Sequence, residues 1–268
     1  MVAHMQKKID STGIKSSGIR PPVSGPILFL FSLILLVGCA PMHMAVPKDL
    51  VGKAQAMPIT VKKTWYIFDI NKISFGPFAA NKFKLGWDHS STLSVSMYSA
   101  SGFSKNYSFA LKQDKGSEWK CDCAVKAVEK DVKGKLFGGD LSIPIKNKIN
   151  LNCTFKGSPT DSTWTLDLAK NANKTDVFTG ELSGGGEKIQ VESLDEYEGR
   201  QINLMNDPLG YVYRIRESAI GAVETLDKGR VWIVKDSTVG LRPQLALAST
   251  ALIVFQDVLK SLEEKKVK

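Results

Sequence analysis

The stretch Leu245-Ala-Leu-Ala-Ser-Thr-Ala-Leu-Ile-Val-Phe255 runs for 11 residues without a charged side chain. Wound as an α-helix it is apolar on every face, and such a helix must be buried on all sides or lie in lipid. Because a helix needs ~20 apolar residues to span a bilayer, this shorter uncharged run favours burial in a protein core. Pro243 suits the first position of a helix, and the charged end from Glu263 to Lys268 would return to solvent. We therefore predict one buried helix over residues 243–262. Its apolar faces are formed by Leu245, Leu247, Ala248, Ala251, Leu252, Val254 and Phe255.

Between residue 60 and this helix, apolar and polar residues alternate with a period of two, which indicates half-buried β-strands. Clear examples are Trp119, Cys121, Cys123 and Val125 in one segment and Ile149, Leu151, Cys153 and Phe155 in another. Glycine-rich turns such as Ser183-Gly-Gly-Gly186 separate the strands. The pattern predicts a mainly β domain of roughly 10 to 12 strands, arranged as an antiparallel barrel or sandwich.

The composition suits such a domain. The chain has 268 residues, of which 43% are apolar and 24% charged, with 36 Lys+Arg against 27 Asp+Glu. These values are close to the globular average and exclude a disordered, collagenous or many-pass membrane chain. They allow one sizeable domain or two small ones.

The first 38 residues are typical of an export signal. Residues 1–25 carry four basic side chains and one acid, and the apolar run Ile27 to Val37 follows. This run is too short for a transmembrane helix. It ends in Leu36-Val37-Gly38-Cys39, which resembles the lipobox of bacterial lipoproteins.

The lipobox resemblance implies that the Cys39 thiol receives diacylglycerol, that cleavage falls before Cys39 and that the new amino group is acylated. Ala40 occupies the position at which Asp signals retention in the inner membrane. The resemblance therefore implies an anchor in the outer membrane, at its periplasmic face. Residues 39–59 hold three prolines without alternation, which predicts a flexible tether before a single domain at 60–268.

Roughly the last 60 residues resemble the tubby-like superfamily, which includes LURP-one-related proteins and phospholipid scramblases. The resemblance rests on three strand segments and the helix: Gly210-Tyr-Val-Tyr-Arg-Ile215, Ile220-Gly-Ala-Val-Glu224, Arg230-Val-Trp-Ile-Val234 and Leu245 to Leu259. It implies an antiparallel barrel that wraps a hydrophobic C-terminal helix, and contact with membrane lipid. A sandwich with the helix packed across one face is the alternative architecture.

Three cysteines remain after the lipidated one. By strand parity Cys121, Cys123 and Cys153 all point inward, and the oxidising envelope favours a disulfide between Cys153 and either Cys121 or Cys123. A Zn or Cu(I) thiolate site is the alternative, but no fourth ligand is evident. His43 lies in the predicted tether and His89 in a polar turn. We therefore predict neither a metal nor a cofactor.

The sequence offers no evident catalytic constellation. A serine nucleophile needs a histidine base, and no Gly-x-Ser-x-Gly motif lies near His43 or His89. The acidic run Glu192 to Glu198 is expected to be a solvated loop, and Gly184–Gly186 a hairpin turn and not a phosphate cradle.

These observations together predict a non-catalytic, lipid-anchored envelope lipoprotein. Without the leader's Lys7, Lys8, Lys15, Arg20 and Asp10 the mature chain has 32 basic and 26 acidic residues, hence a formal charge of +6. This modest excess does not indicate nucleic acid. The expected partners are the membrane, through the acyl chains, and a lipid-like ligand or an envelope protein. The alternative is an envelope hydrolase with an unrecognised carboxylate pair.

Overall fold

A computed structural model defines the fold. It describes residues 43–63, 70–95, 98–114, 116, 118–136, 139–157, 162–170, 177–199, 208–226, 229–235 and 240–266. The predicted export signal, the predicted lipobox residues Leu36, Val37 and Gly38, and Cys39 lie outside the described residues.

The described chain is mainly β-structure followed by one long helix, as predicted. Its 14 strands are β1 (Ala54–Pro58), β2 (Thr60–Lys63), β3 (Ile70–Phe75), β4 (Phe78–Leu85), β5 (His89–Val95), β6 (Tyr98–Gln113), β7 (Glu118–Leu136), β8 (Gly139–Gly157), β9 (Thr163–Lys170), β10 (Phe178–Gly184), β11 (Glu187–Leu194), β12 (Gly210–Ile215), β13 (Ser218–Glu224) and β14 (Arg230–Val234), and the helix is α1 (Arg242–Lys266). This count exceeds the predicted 10 to 12 strands. One reason is that β1 and β2 are separated by a single residue, Ile59, and β4 and β5 by only Gly86 to Asp88.

All described strands belong to one antiparallel sheet that returns on itself. The order is β1-β14-β13-β12-β11-β10-β9-β8-β7-β6-β4-β3-β2, with β5 paired to β6. The first and last strands of this order follow one another in the chain, so the continuous segment 54–63 joins the two ends of the sheet. The architecture is therefore a nearly closed barrel and not a sandwich.

The helix α1 supplies the centre of the main apolar core. Its residues from Leu245 to Phe255 are all buried, and the same cluster contains inward-facing residues of strands on all sides, among them Phe109, Leu166 and Val231. The Tyr107 hydroxyl donates to the Ala251 carbonyl at 2.8 Å. By length and composition the segment Arg242–Leu262 could cross a membrane, so its length alone does not exclude a transmembrane helix. Burial decides in favour of a core helix, because 78% of its most apolar window is buried inside the protein.

The prediction of a flexible tether over residues 39–59 is wrong for its described part, residues 43–59. Met44 and Leu50 are each 1% exposed, Met44 forms a β-bridge with Tyr197, and β1 is a strand of the barrel. Met44 and Leu50 pack against outward-facing residues of β12 to β14, including Val212 and Trp232, in a second apolar cluster. Burial of these side chains outweighs the local preference of the prolines for extended, unpaired chain.

Three long strands carry part of the sheet beyond the barrel wall. β6 has 16 residues, and β7 and β8 have 19 each, whereas the neighbouring β4 and β9 have 8 each. The additional residues of β6, β7 and β8 pair only with one another and with β5. We call this four-stranded extension the arm: β5, residues 98–104 of β6, residues 126–136 of β7 and residues 139–149 of β8.

Candidate functional site

Residues 43–53, which precede β1 and are called the docked N-terminal segment, bring His43 to the end of β13 and the start of β14. The His43 Nδ1 atom lies 3.2 Å from Glu224 Oε1, and Nε2 lies 2.9 Å from Arg230 Nη2. Because an arginine can only donate, Nε2 is the acceptor for Arg230, and Nδ1 lies within hydrogen-bond distance of the carboxylate. Both ring nitrogens of His43 are thus engaged within the protein.

Glu224 is the buried anchor of this group. Its side chain is fully buried, and Oε1 also accepts the Met44 backbone N–H at 2.8 Å. A buried carboxylate is stable only when hydrogen bonds or counter-charges replace its water. Its second oxygen, Oε2, has no hydrogen-bond partner among the described residues. Glu224 therefore fixes the start of the docked segment to the barrel.

An open pocket of about 390 Å³ lies between the docked segment and strands β1 and β14. Its polar side chains are those of His43, Glu198 and Arg230. Its apolar lining consists of Met44, Ala45, Val46, Leu50, Val51, Ala54, Ala56 and Trp232. The volume is at the lower end of the range for small-molecule sites. A guanidinium beside an apolar wall is suited to an amphiphile with an acidic head group.

The lining residues do not supply an evident nucleophile. They include no serine, threonine or cysteine, and Glu198 is the only acidic residue among them. Nucleophilic catalysis needs such a group within hydrogen-bond reach of a base. His43, Glu198 and Arg230 are therefore the polar side chains that a ligand of this pocket would meet.

The three predicted inward-facing cysteines are all buried, and the open choice of partner is resolved. Cys123 forms the disulfide with Cys153, its direct cross-strand partner on β8, and Cys121 is the free thiol. Cys121 Sγ lies 3.4 Å from Cys123 Sγ. Burial, and to a smaller extent the charge of Asp122, raises the pKa of the Cys121 thiol well above its usual value, so this thiol stays protonated.

The same sulfurs bear on the alternative of a thiolate metal site. The sulfur atoms of Cys121, Cys123 and Cys153 all lie within 4.8 Å of one another. The disulfide uses two of them, so the oxidised protein offers one thiol at this position. The predicted absence of a metal stays a prediction.

The hairpin prediction is confirmed, whereas the predicted loop over Glu192 to Glu198 is wrong for Glu192 to Leu194, which belong to strand β11. Gly185 and Gly186 have φ angles of 59° and 85° between the paired residues Gly184 and Glu187, which is the geometry of a tight hairpin turn. The acidic side chains of Asp195 to Glu198 are exposed, although the backbone of Glu198 donates to the His43 carbonyl at 2.8 Å. His89 is exposed at the start of β5.

Comparison of the chain with protein-family models, curated proteins and solved structures found no match. The pocket combines residues near positions 43–56, 198–199 and 230–232, which share no local motif. The clue that sequence reasoning missed was the pair of apolar residues Met44 and Leu50, which a purely solvated tether would not need.

Proposed function

We propose that this chain is an envelope lipoprotein, acylated at Cys39, that holds its barrel at the periplasmic face of the outer membrane and binds a lipid-like ligand without catalysis. The observation that carries the proposal is the amphipathic pocket built by the segment that follows Cys39. Its lining joins an arginine and a histidine to a wall of apolar side chains. The lipobox resemblance supplies the anchor, and the tubby-like resemblance is consistent with lipid contact.

The position of the pocket supports a membrane-derived ligand. Four peptide units separate Cys39 from His43, so the path between these residues is at most about 14 Å. A lipidated Cys39 would therefore hold the pocket close to the head groups of its own membrane. The interior of the barrel is taken by α1, whose residues from Leu245 to Phe255 are buried, so the wall pocket is the better candidate for a ligand.

The pocket supports an amphiphile with an acidic head. Arg230 offers donors in a planar fork suited to phosphate or carboxylate. The apolar side chains of Val46, Leu50 and Trp232 offer a surface for a short length of acyl chain. The alternative hydrolase would need a second carboxylate beside Glu198 at the pocket.

The anchor is tested by labelling cells with radioactive palmitate. The wild type is expected to incorporate label and Cys39→Ser to incorporate none, because the thiol is the acceptor. Equal labelling of both proteins would end the lipoprotein proposal.

The pocket is tested with dihexanoyl phosphatidylglycerol, a soluble acidic lipid, by calorimetric titration of the detergent-solubilised full protein. Ala56→Trp places a large side chain at the lining residue Ala56 and is expected to weaken binding at least tenfold. Gln190→Trp is the matched control on exposed strand β11 and should bind as the wild type does. Equal affinity of all three proteins would contradict the pocket, and release of hydrolysis products, followed by mass spectrometry, would favour the hydrolase.

A further inference from the structure

The arm presents one face that differs from the rest of the barrel surface. The register aligns Leu93 with Ala100 and Lys130, and the adjacent row aligns Gly102 with Val128 and Lys148. Directly opposed residues of an antiparallel sheet project from the same face, as do residues two apart along a strand. We call the side that carries Leu93, Lys126, Val128, Lys130 and Lys148 the outer face of the arm.

The outer face is basic and partly apolar. Leu93 is 69% exposed and Val128 41% exposed, and the three lysines are exposed as well. No acidic residue is among the described side chains of this face. Trp87, which is 88% exposed, lies at the base of the arm between β4 and β5. Leu93, Val128 and the apolar stems of the lysines together give this face an amphipathic character.

The opposite face of the arm is already partly covered. Phe103 on β6 and Ile149 on β8 both lie opposite Ala127 of β7, and both pack against the main core. Glu129 belongs to the same side by its register position. Among the described side chains the two faces of the arm thus differ in both burial and charge, and those of the outer face are the more exposed.

The arm leaves the barrel at the end where the N-terminal segment docks. β11 ends at Leu194 and β13 ends at Glu224, and both of these residues lie opposite Gly210, so they mark one rim of the barrel. Tyr197, three residues after Leu194, forms the β-bridge with Met44 at this rim. β9 ends at the same level, and β8 continues beyond it as the arm, since residues before Asn150 have no partner on β9. The arm and His43, the first residue that the structure describes, therefore lie at one rim of the barrel.

We propose that the outer face of the arm docks on the surface of an anionic bilayer, the membrane in which Cys39 is anchored. This proposal rests on the proposed lipid anchor. Each lysine near an anionic surface strengthens binding roughly fivefold. The lysine stems and the side chains of Leu93 and Val128 supply apolar area that enters the head-group region. If Cys39 is acylated, at most about 14 Å of chain joins the lipid to His43 at this rim, which favours a membrane over a protein as the occupant.

The test uses the full lipidated protein, purified in detergent and incorporated into vesicles of phosphatidylcholine alone or with 30% phosphatidylglycerol. Leu93→Cys carries an environment-sensitive fluorophore, and Gln190→Cys carries the same label on the barrel wall; the buried Cys121 is protected in the folded protein. In the anionic vesicles, nitroxide-labelled lipid is expected to quench the label at residue 93 at least threefold more than the label at residue 190.

The charge dependence separates this contact from mere proximity to the anchor. Lys126→Gln, Lys130→Gln and Lys148→Gln together should abolish the excess quenching at residue 93. A matched triple change at Lys120, Lys156 and Lys188, exposed lysines near the opposite rim, should leave it intact. Salt at 1 M, which shortens the screening length to ~3 Å, should reduce the quenching as the triple arm variant does.

The outcomes distinguish the two proposals. Protein that does not sediment with either vesicle overturns the anchor and the arm contact together. Protein that sediments without excess quenching at residue 93, or with quenching that the triple arm variant leaves unchanged, overturns only the arm contact. Crosslinking of residue 93 to an envelope protein in place of lipid would overturn it as well.

Discussion

The disulfide between Cys123 and Cys153 gives the sharpest prediction about stability. The two residues face one another on β7 and β8 and are separated by 30 residues in sequence. Reduction leaves every other covalent bond in place, so it isolates the effect of the crosslink on the unfolded chain.

The size of this effect follows from loop closure. In the chain-entropy model a crosslink across 30 residues lowers the entropy of the unfolded ensemble by an amount that stabilises the fold by about 3.6 kcal/mol at 25 °C. With a urea m-value of ~2 kcal/mol/M, the unfolding midpoint should fall by about 1.8 M on reduction. The m-value should rise slightly because the reduced unfolded chain exposes more surface.

The assay is urea unfolding, followed by circular dichroism, with and without a phosphine reductant. Both measurements use Cys121→Ala, because the free thiol lies 3.4 Å from Cys123 Sγ and would otherwise allow exchange in the unfolded chain. The cost of this substitution is common to both conditions and cancels. Non-reducing peptide mapping of the wild type should recover Cys123 linked to Cys153 and Cys121 as a free thiol.

Two results would refute the reasoning. A midpoint shift below ~0.5 M would mean that the unfolded chain gains little freedom on reduction. Recovery of Cys121 linked to Cys153 would mean that the pairing itself is different.

Two further predictions concern the buried helix and its contacts. Phe255→Ala should lower the free energy of unfolding, measured in urea, by about 3 to 5 kcal/mol, because Phe255 is fully buried. The control Lys260→Ala, at an exposed position of the same helix, should change this free energy by less than ~0.5 kcal/mol. Equal losses in the two variants would place the helix outside the core. Burial raises the pKa of Tyr107 and Tyr213 above the ordinary value of 10, so the stability that neutral tyrosines contribute is present below pH 10 and lost as the pH rises above it. Tyr107→Phe combined with Tyr213→Phe should make the free energy of unfolding fall less steeply between pH 10 and 12, and an unchanged slope would contradict the burial of these hydroxyls.

The sequence was most informative where the pattern is local. Alternation placed Cys121, Cys123 and Cys153 on inward faces, and the run from Leu245 to Phe255 predicted a buried helix, because side-chain periodicity reports directly which face meets the core. The choice between barrel and sandwich was not accessible in this way. It depends on the pairing of Met57 with Val231, a contact across more than 170 residues that leaves no local pattern.

The docked N-terminal segment shows the opposite case. Proline-rich composition predicts a flexible chain. Composition contains no information on tertiary contacts, however, and Met44 and Leu50 pack against outward-facing Val212 and Trp232 on strands distant in sequence. The same tertiary contact places His43, which was predicted to lie in a flexible tether, beside the buried carboxylate of Glu224. The candidate pocket could not be predicted because it exists only once this segment is docked.

Docking of this segment changes the expected distance between lipid and domain. A flexible tether of about 20 residues would have a root-mean-square reach of ~25 Å, whereas the path from Cys39 to His43 cannot exceed about 14 Å. If Cys39 carries the proposed acyl chains, the rim that holds Glu224 must lie near the membrane surface. The pocket and the arm both reach this rim, while the centre of the barrel is occupied by α1. With such an anchor, a barrel that is filled inside by α1 would present its wall pocket close to lipid, which is the physical reason to look for a membrane-derived ligand there.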